Sequence, residues 1–224
     1  MLIYFPHIPK AGGQTLLQCF YKAFGAKRCI KVWNTNFGAD VSPDQFKDLS
    51  SENFKNIYAV IGHLPVRNFF KNDYAKQQFY KGNVKILTSV RNPIQRLVSL
   101  YNYINYNEKH PHHRNLSNTP PLEFIINQQA NFQYNFLKSD LYEILTLSQI
   151  LDMIDVFPLE RSIDGFTHFF KSNLDIDVGK LDIKNSSKDL AHGKKLLSES
   201  DIPNDLLNHL TKKHKIDFEL YYSL

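Results

Sequence analysis

HIPKAGGQTL, residues 7–16, is the stretch that decides the fold of this chain. It follows the apolar run Leu2–Phe5, which predicts a short buried strand. It leads into apolar residues whose spacing predicts one face of a helix that ends at Gly25: Leu16, Leu17, Cys19, Phe20, Ala23 and Phe24. A strand, a glycine loop and a helix in this order are typical of an anion-binding site, because N–H groups at the helix start converge on the ligand.

The residue types within this stretch match such a site. Gly12 and Gly13 let backbone N–H groups approach a ligand, Lys10 adds a full positive charge, and Thr15 adds a hydroxyl group. The alternative is a Gly-Gly turn that binds nothing. The stretch also differs from the GxxxxGK[ST] loop of ordinary ATPases and GTPases, because its lysine precedes the glycines. The sequence therefore favours a phosphate or sulfate site outside those two classes.

A second pattern of strand, turn and helix lies at residues 84–103, VKILTSVRNPIQRLVSLYNY. The run before the arginine predicts an apolar strand, and the Asn-Pro pair suits a helix cap followed by the first helical position. Arg91 then stands at the end of the strand, and Ser99 stands two turns into the helix. An arginine beside a helix start is often only a surface residue, and we interpret Arg96 as one.

Further strands complete a parallel sheet in the predicted fold. Arg28–Trp33 predicts one strand, and the continuous apolar run Ile57–Ile61 is typical of a strand that is buried on both faces of a parallel sheet. Val156–Arg161 predicts an edge strand because it contains a proline. Strands that alternate with helices predict an α/β fold of the P-loop-like type, with three layers and a central, mostly parallel sheet flanked by helices.

His63 follows one of these strands directly after Gly62. Ligands of open α/β sheets bind at the carboxyl ends of the strands, so His63 is a candidate catalytic residue. The unperturbed pKa of histidine, about 6.5, suits proton transfer at neutral pH. The alternative is a structural ring whose hydrogen bonds are satisfied within the fold.

These motifs resemble those of sulfotransferases that use 3'-phosphoadenosine 5'-phosphosulfate (PAPS). HIPKAGGQT is similar to their phosphosulfate-binding loop, most of all in the carbohydrate branch that includes the heparan sulfate 2-O-sulfotransferases and bacterial relatives. The pattern Arg-Asn-Pro-x-x-Arg-x-x-Ser-x-Tyr resembles their 3'-phosphate element, with Asn92 in place of the usual aspartate. GHLPVRNFF, residues 62–70, resembles the segment with their histidine base, and residues 182–188 resemble a loop that closes over the nucleotide.

The resemblance implies the activity and the role of each candidate residue. The chain would transfer a sulfuryl group from PAPS to a hydroxyl group of an acceptor, a carbohydrate in the favoured interpretation, and release 3',5'-ADP without a metal ion. Lys10 would stabilise the leaving phosphate, His63 would be the general base, and Arg67 would join His63 in binding the acceptor. The implied cofactor-binding residues are Lys10, Ala11, Gly12, Gly13, Gln14, Thr15, Arg91, Ser99, Ser187 and Lys188.

Three other functions stay open from the sequence. They are a P-loop-like kinase that uses ATP, a nucleotide-binding relative without activity, and a nucleic-acid-binding module. The last is favoured by the basic stretch His63–Arg114, with nine Lys or Arg against two acidic residues. It is disfavoured because the chain has no recognisable nucleic-acid-binding motif. We therefore expect a small-molecule or glycan acceptor as the partner, and no nucleic acid; the sequence does not indicate an oligomeric state.

Composition favours one globular domain. The chain has 224 residues, of which 42% are hydrophobic and 22% charged, and we expect a single sulfotransferase-like domain over residues 1–224. No apolar run reaches the roughly 18 residues that a membrane span needs, and the apolar start is too short for a signal peptide. We therefore expect a cytoplasmic protein without stable membrane insertion, with a trimmed lumenal domain as the alternative.

The residues with potential redox or metal chemistry are few. We expect Cys19 and Cys29 to be reduced, structural thiols, because the chain shows neither a secretory signal nor a CxxC motif. The His-rich stretch Asn105–Pro121, with histidines at positions 110, 112 and 113, predicts a flexible loop and a possible lid on the acceptor side. A metal site there is the less favoured alternative, since no carboxylate or cysteine partner stands nearby.

Overall fold

The computed structural model describes residues 1–33, 40–116, 119–139, 146–182, 191 and 195–224, without the side chains of residues 114 and 115. The strands are β1 (Leu2–Pro6), β2 (Cys29–Val32), β3 (Ala59–Gly62), β4 (Val84–Val90) and β5 (Ile154–Pro158). The α-helices are α1 (Gly13–Phe24), α2 (Pro43–Phe46), α3 (Val66–Phe69), α4 (Asp73–Tyr80), α5 (Pro93–Tyr106), α6 (His113–Leu116), α7 (Pro121–Ile126), α8 (Phe132–Leu137), α9 (Leu147–Met153), α10 (Leu159–Leu174), α11 (Asn204–Lys213) and α12 (Lys215–Tyr222). Short 3-10 helices lie at Ala26–Arg28, Ser51–Phe54 and Glu199–Asp201.

The chain divides into two compact units. The sheet unit consists of Met1–Val90 and Gln133–Asp182, and the helical unit consists of Arg91–Phe132 and Ile183–Leu224. Each unit is therefore assembled from two separate stretches of the chain. A single domain over residues 1–224 stays a prediction.

The sheet unit is built on a parallel sheet with the strand order β2-β3-β1-β4-β5. All four strand pairings are parallel. The register aligns Gly62 with both Pro6 and Val32. Three neighbouring strands therefore end at the same level, and the residues that follow them meet at the carboxyl edge of the sheet.

Helices cover both faces of this sheet. Alternate residues of a strand point to opposite faces, and Ile3 and Phe5 of β1 join an apolar core that includes Phe20 of α1 and several phenylalanines of α10. Tyr4 points to the other face, where its ring stacks on that of Phe69 in α3 at a centroid distance of 3.9 Å. The predicted α/β fold, with a central parallel sheet between two layers of helices, is confirmed.

Some predicted boundaries are wrong. β5 ends at Pro158 and α10 begins at the next residue, so Glu160 and Arg161 lie in a helix and not in the predicted edge strand. Proline supplies no N–H group to a strand ladder and is well tolerated beside a helix start, which explains the transition. β5 itself is an edge strand, as predicted. The His-rich stretch contains the end of α5 and the short helix α6, where a loop was predicted.

The helical unit surrounds α5. Its apolar core contains Ile94, Leu97, Val98, Ile125, Ile202 and Leu210. Arg96 is only 2% exposed, and its guanidinium carbon lies 4.7 Å from the centroid of the Phe132 ring. Burial lowers the pKa of Arg96 to about 10, and the nearby carboxylate of Asp217 opposes that shift. The interpretation of Arg96 as a surface residue is therefore wrong.

Two further sequence predictions concern cysteines and membranes. Cys19 and Cys29 are both buried and free, as predicted, and burial raises the pKa of each thiol to about 12. Within the described parts of the chain, none of the helices combines the length and the apolar character that crossing a bilayer requires.

Candidate active site

The loop between β1 and α1 has a strained backbone held by hydrogen bonds. Lys10 has a φ of 72° and Gly12 a φ of 81°, both in the left-handed region that favours glycine. Holding a lysine in that region costs on the order of 1–3 kcal/mol, and such strain is concentrated at functional sites. The N–H group of Ala11 donates to the carbonyl of Ile8 at 3.2 Å, and the hydroxyl of Ser89 donates to the carbonyl of Ala11. The loop is thus fixed from β4 as well as from its own backbone.

The start of α1 leaves peptide N–H groups for a ligand. Its N-cap residue is Gly12, which has no side chain to cap the helix, and the first turn contains no acidic residue. The N–H groups of Thr15 and Leu16 donate to the carbonyl of Gly12 at 3.1 and 3.3 Å. Helix geometry gives the N–H groups of Gly13 and Gln14 no acceptor within the helix. Together with the helix dipole, these two N–H groups favour an anion.

Three aromatic rings lie at the carboxyl edge of the sheet. His7, Trp33 and His63 follow β1, β2 and β3, and their ring centroids are 4.7 Å (His7–His63), 5.6 Å (Trp33–His63) and 6.3 Å (His7–Trp33) apart. Gly62, just before His63, has a φ of 144°, and a Cβ atom there would lie 1.9 Å from the carbonyl oxygen of Val32. Only glycine therefore fits the turn that presents His63.

Both histidines are neutral at neutral pH. Burial lowers the pKa of His63 from 6.5 to about 4. Burial, reinforced by the neighbouring His63 and Lys10, lowers the pKa of His7 well below 6.5. The expectation of an unperturbed pKa at His63 is wrong, because the fold removes most of the water from the ring. At neutral pH His63 keeps the form that can accept a proton, although it is a weaker base than a solvated histidine.

The other predicted residues of the sheet unit lie on its surface or in the loop itself. Arg67 is exposed in α3. Within the loop, Ala11, Gly13 and Thr15 are buried, whereas Gln14 is exposed. The structure therefore brings the predicted phosphate loop and His63 to one edge of the sheet unit, with His7 between them.

Arg91 and Ser99 belong to the helical unit, where both are half-buried. The side chain of Asn92 accepts from the N–H groups of Ile94 and Gln95 at 3.0 and 3.3 Å. The predicted cap at the start of α5 is thus confirmed. The remaining candidates, residues 187 and 188, lie outside the described residues.

His7, Trp33 and Ser89 were missed in the sequence. The signal for His7 was present, because it follows an apolar strand just as His63 does. Ser89 gave no signal, since a hydroxyl within the apolar run of β4 does not reveal which carbonyl it binds. As for metals, the described side chains include no group of three or more His, Cys, Asp or Glu that could hold an ion.

Comparison with known proteins adds an independent finding. The model of the sulfotransferase family matches residues 2–125, more than half of the 224-residue chain. The chain is also similar to the solved structure of mouse sulfotransferase SULT7A1 complexed with PAP, at 15% identity and a TM-score of 0.46, over 99% of this chain and 82% of that chain. No curated protein matches the chain.

Proposed function

Because the chain belongs to the sulfotransferase family, we propose that it transfers a sulfuryl group from PAPS to a hydroxyl group of a carbohydrate acceptor. The observation that carries the proposal is the start of α1. Its N-cap residue, Gly12, offers no side-chain cap, and the left-handed Lys10 lies two residues before it in the loop. These features suit an anionic phosphosulfate. The carbohydrate acceptor and a cytoplasmic location rest on the sequence motifs and composition alone.

The proposed chemistry uses the groups of this edge in complementary roles. Bound PAPS would supply the sulfuryl group. His63 accepts the proton of the acceptor hydroxyl while the acceptor oxygen forms a bond to sulfur, and the bond between sulfur and the phosphate oxygen breaks. Lys10 and the N–H groups of Gly13 and Gln14 stabilise the negative charge that develops on the released 3',5'-ADP. Catalysis then rests on positioning and charge stabilisation, as in phosphoryl transfer.

The neutral state of His63 is compatible with this role. A ring with a pKa of about 4 is ready to accept a proton throughout the neutral range. We expect a bound anionic donor to raise that pKa, because a nearby negative charge favours the protonated ring. Proton transfer from the acceptor would then become easier once the donor is in place.

The remaining proposed contacts define which donor and which acceptor bind. Arg91 and Ser99 bind the 3'-phosphate, which would separate PAPS from ATP. Ser187 and Lys188 bind the 3'-phosphate or the adenine. Arg67 is exposed and cationic, so it suits an anionic group on the acceptor. These four assignments and that of Arg67 rest on their motifs.

The test is calorimetric binding of 3',5'-ADP to the purified protein, with 5'-AMP and ATP as comparison ligands. We expect 3',5'-ADP to bind most tightly, and Arg91→Ala to weaken it by about 10-fold or more, because a charged group that binds phosphate contributes about 1.5–3 kcal/mol. Lys27→Ala, in the 3-10 helix after α1, removes a positive charge elsewhere and is the control. Preference for ATP would contradict the proposal and favour a kinase.

A further inference from the structure

His7 is buried at the point where the phosphate loop begins. It is 6% exposed, and its backbone N–H group donates to the carbonyl of Gly62 at 2.8 Å. Its ring contacts the rings of Phe5 (centroids 5.8 Å apart), Trp33 (6.3 Å) and His63 (4.7 Å). The position of this imidazole is therefore set by the sheet on one side and by aromatic neighbours on the others.

The ring also touches the first residue of α1. A Cβ atom built on Gly13 would lie 1.9 Å from both Nε2 and Cδ2 of His7, and 2.5 Å from Cε1. The Nε2 edge of the imidazole thus lies against the helix start whose N–H groups are available to an anion. Glycine at position 13 is required by this contact, in addition to any contact with a ligand.

The two ring nitrogens of His7 have different surroundings. Nδ1 is buried and has no hydrogen-bond partner among the described residues. Buried N–H groups without an acceptor are rarer than buried acceptors without a donor. The proton of the neutral ring is therefore favoured on Nε2, the nitrogen at the start of α1. Burial and the charge of Lys10 keep the pKa of His7 well below 6.5, so the ring has one N–H donor at neutral pH.

We propose that His7 is a further donor-binding residue, whose Nε2–H group donates to an oxygen of the phosphosulfate held by residues 10–15. This inference rests on the proposed function and deepens it, because it adds a neutral donor to the charged Lys10 and the backbone N–H groups. A neutral donor binds the anion without repelling Lys10 or the proton that His63 receives. Its location between Gly13 and His63 places it along the route from the phosphate to the acceptor.

The experiment separates the N–H group of His7 from the space that its ring fills. His7→Phe keeps an aromatic ring among Phe5, Trp33 and Gly13 but removes the donor, whereas His7→Gln keeps an N–H donor at the position of Nε2. We expect His7→Phe to weaken binding of 3',5'-ADP by about 10-fold or more, because it loses one hydrogen bond to a charged group. We expect His7→Gln, which keeps that bond, to remain within about 3-fold of the wild type. His168→Phe, at an exposed histidine of α10, is the matched control.

The same variants locate the bond. Equal losses for 3',5'-ADP and PAPS would place it on the 5'-phosphate, and a larger loss for PAPS would place it on the sulfuryl group. Wild-type affinity of His7→Phe for both 3',5'-ADP and PAPS, or equal weakness in His7→Phe and His7→Gln, would overturn the inference and leave His7 as a packing residue.

Two arms keep the test decisive. If His7→Phe fails to fold by circular dichroism, nitrogen-15 NMR of the wild type replaces it. We expect the Nε2 resonance of His7 to shift on addition of 3',5'-ADP or PAPS, and no shift with either ligand would overturn the inference. If the wild type does not bind 3',5'-ADP, the proposed function fails, and pyrophosphate becomes the probe for the variants. Weaker pyrophosphate binding in His7→Phe would then still support His7 as an anion ligand.

Discussion

Among the described residues, His63 and His214 both have a pKa lowered by burial, and their surroundings differ. His63 lies at the carboxyl edge of the sheet unit and His214 lies in the helical unit, where it is 0% exposed; burial lowers the pKa of each to about 4. At the sheet edge, Lys10 has a strained backbone and the N-cap residue of α1 provides no side-chain cap. His214 is the N-cap residue of α12 and also provides no side-chain cap, but the side chain of Asn131 accepts from the N–H groups of Ile216 and Asp217 at 3.0 and 3.3 Å.

Burial of a histidine does not by itself indicate a catalytic site. His214 is neutral because it is buried next to the positive charges of Arg96 and Lys213. Its ring lies at the start of α12, and both ring nitrogens are buried without a hydrogen-bond partner among the described residues. The edge around His63 instead combines a strained loop, a forced glycine turn and a helix start that is ready for an anion. The helix starts separate the two sites, because α12 begins with two N–H groups that donate to Asn131, whereas α1 follows a loop with left-handed Lys10 and Gly12.

Substitution of the two histidines should separate these roles most strongly. We expect His63→Ala to lower kcat by about 10²- to 10⁴-fold, the usual contribution of a general base, while 3',5'-ADP still binds. His214→Ala should lower the free energy of unfolding and leave kcat of the folded protein unchanged. Steady-state sulfation assays, calorimetry and urea unfolding of both variants make the comparison. Near-normal kcat in His63→Ala would show that another group accepts the proton.

Substitution of Arg96 tests whether the buried charge in the helical unit contributes to stability. Arg96→Ala removes a buried cation that lies over the Phe132 ring and leaves the carboxylate of the buried Asp217 without that positive charge. We expect a loss of about 3 kcal/mol in the free energy of unfolding, as for the disruption of a buried charge pair.

Arg67→Ala is the matched control for this loss, since Arg67 is exposed in α3 and should change stability by less than about 0.5 kcal/mol. Urea unfolding of both variants gives the two values. Equal stability of Arg96→Ala and the wild type would show that the buried Arg96 contributes no more to stability than the exposed Arg67.

Much of the sheet edge could be predicted because its signals are local. Apolar runs followed by glycine, histidine or Asn-Pro determine β1, β3, β4 and the starts of α1 and α5 within a few residues of sequence. Since parallel strands end at one edge, the loop of residues 10–15 and His63 could be placed on the same edge. His7 has the same local signal as His63, because it also follows an apolar strand.

The environment of Arg96 could not be predicted in the same way. Phe132 and Asp217, which surround its guanidinium group, lie far from it in sequence, and no local pattern joins them. The pKa of His63 also depends on tertiary burial, which a strand pattern does not measure. The contact of Ser89 with Ala11 is a third case, because it joins β4 to the first loop. The features that could not be predicted from the sequence depend on contacts between distant segments of the chain.

His214 should also make the free energy of unfolding depend on pH, which is a smaller effect. In the unfolded chain His214 binds a proton below a pKa of about 6.5, whereas in the folded chain it does so only below about 4. Between pH 7 and pH 5 the unfolded state therefore gains more protons, and the free energy of unfolding falls as the pH falls. The contribution of such a histidine is fully present above pH 6.5 and is lost as the pH falls through 4.

His214→Phe should remove the part of this pH dependence that comes from His214. From the two pKa values we expect the wild type to lose about 2 kcal/mol more than His214→Phe between pH 7 and pH 5, measured by urea unfolding at both values. The charged and titratable neighbours of the ring, Arg96, Lys213 and His209, remain in both proteins, so their contributions cancel in the difference. Since His63 is retained in both proteins, the loss of stability that remains in His214→Phe includes the contribution of His63. Identical pH dependence in the two proteins would contradict the assignment of His214 as a neutral, buried ring, and the two histidine sites would then no longer be comparable.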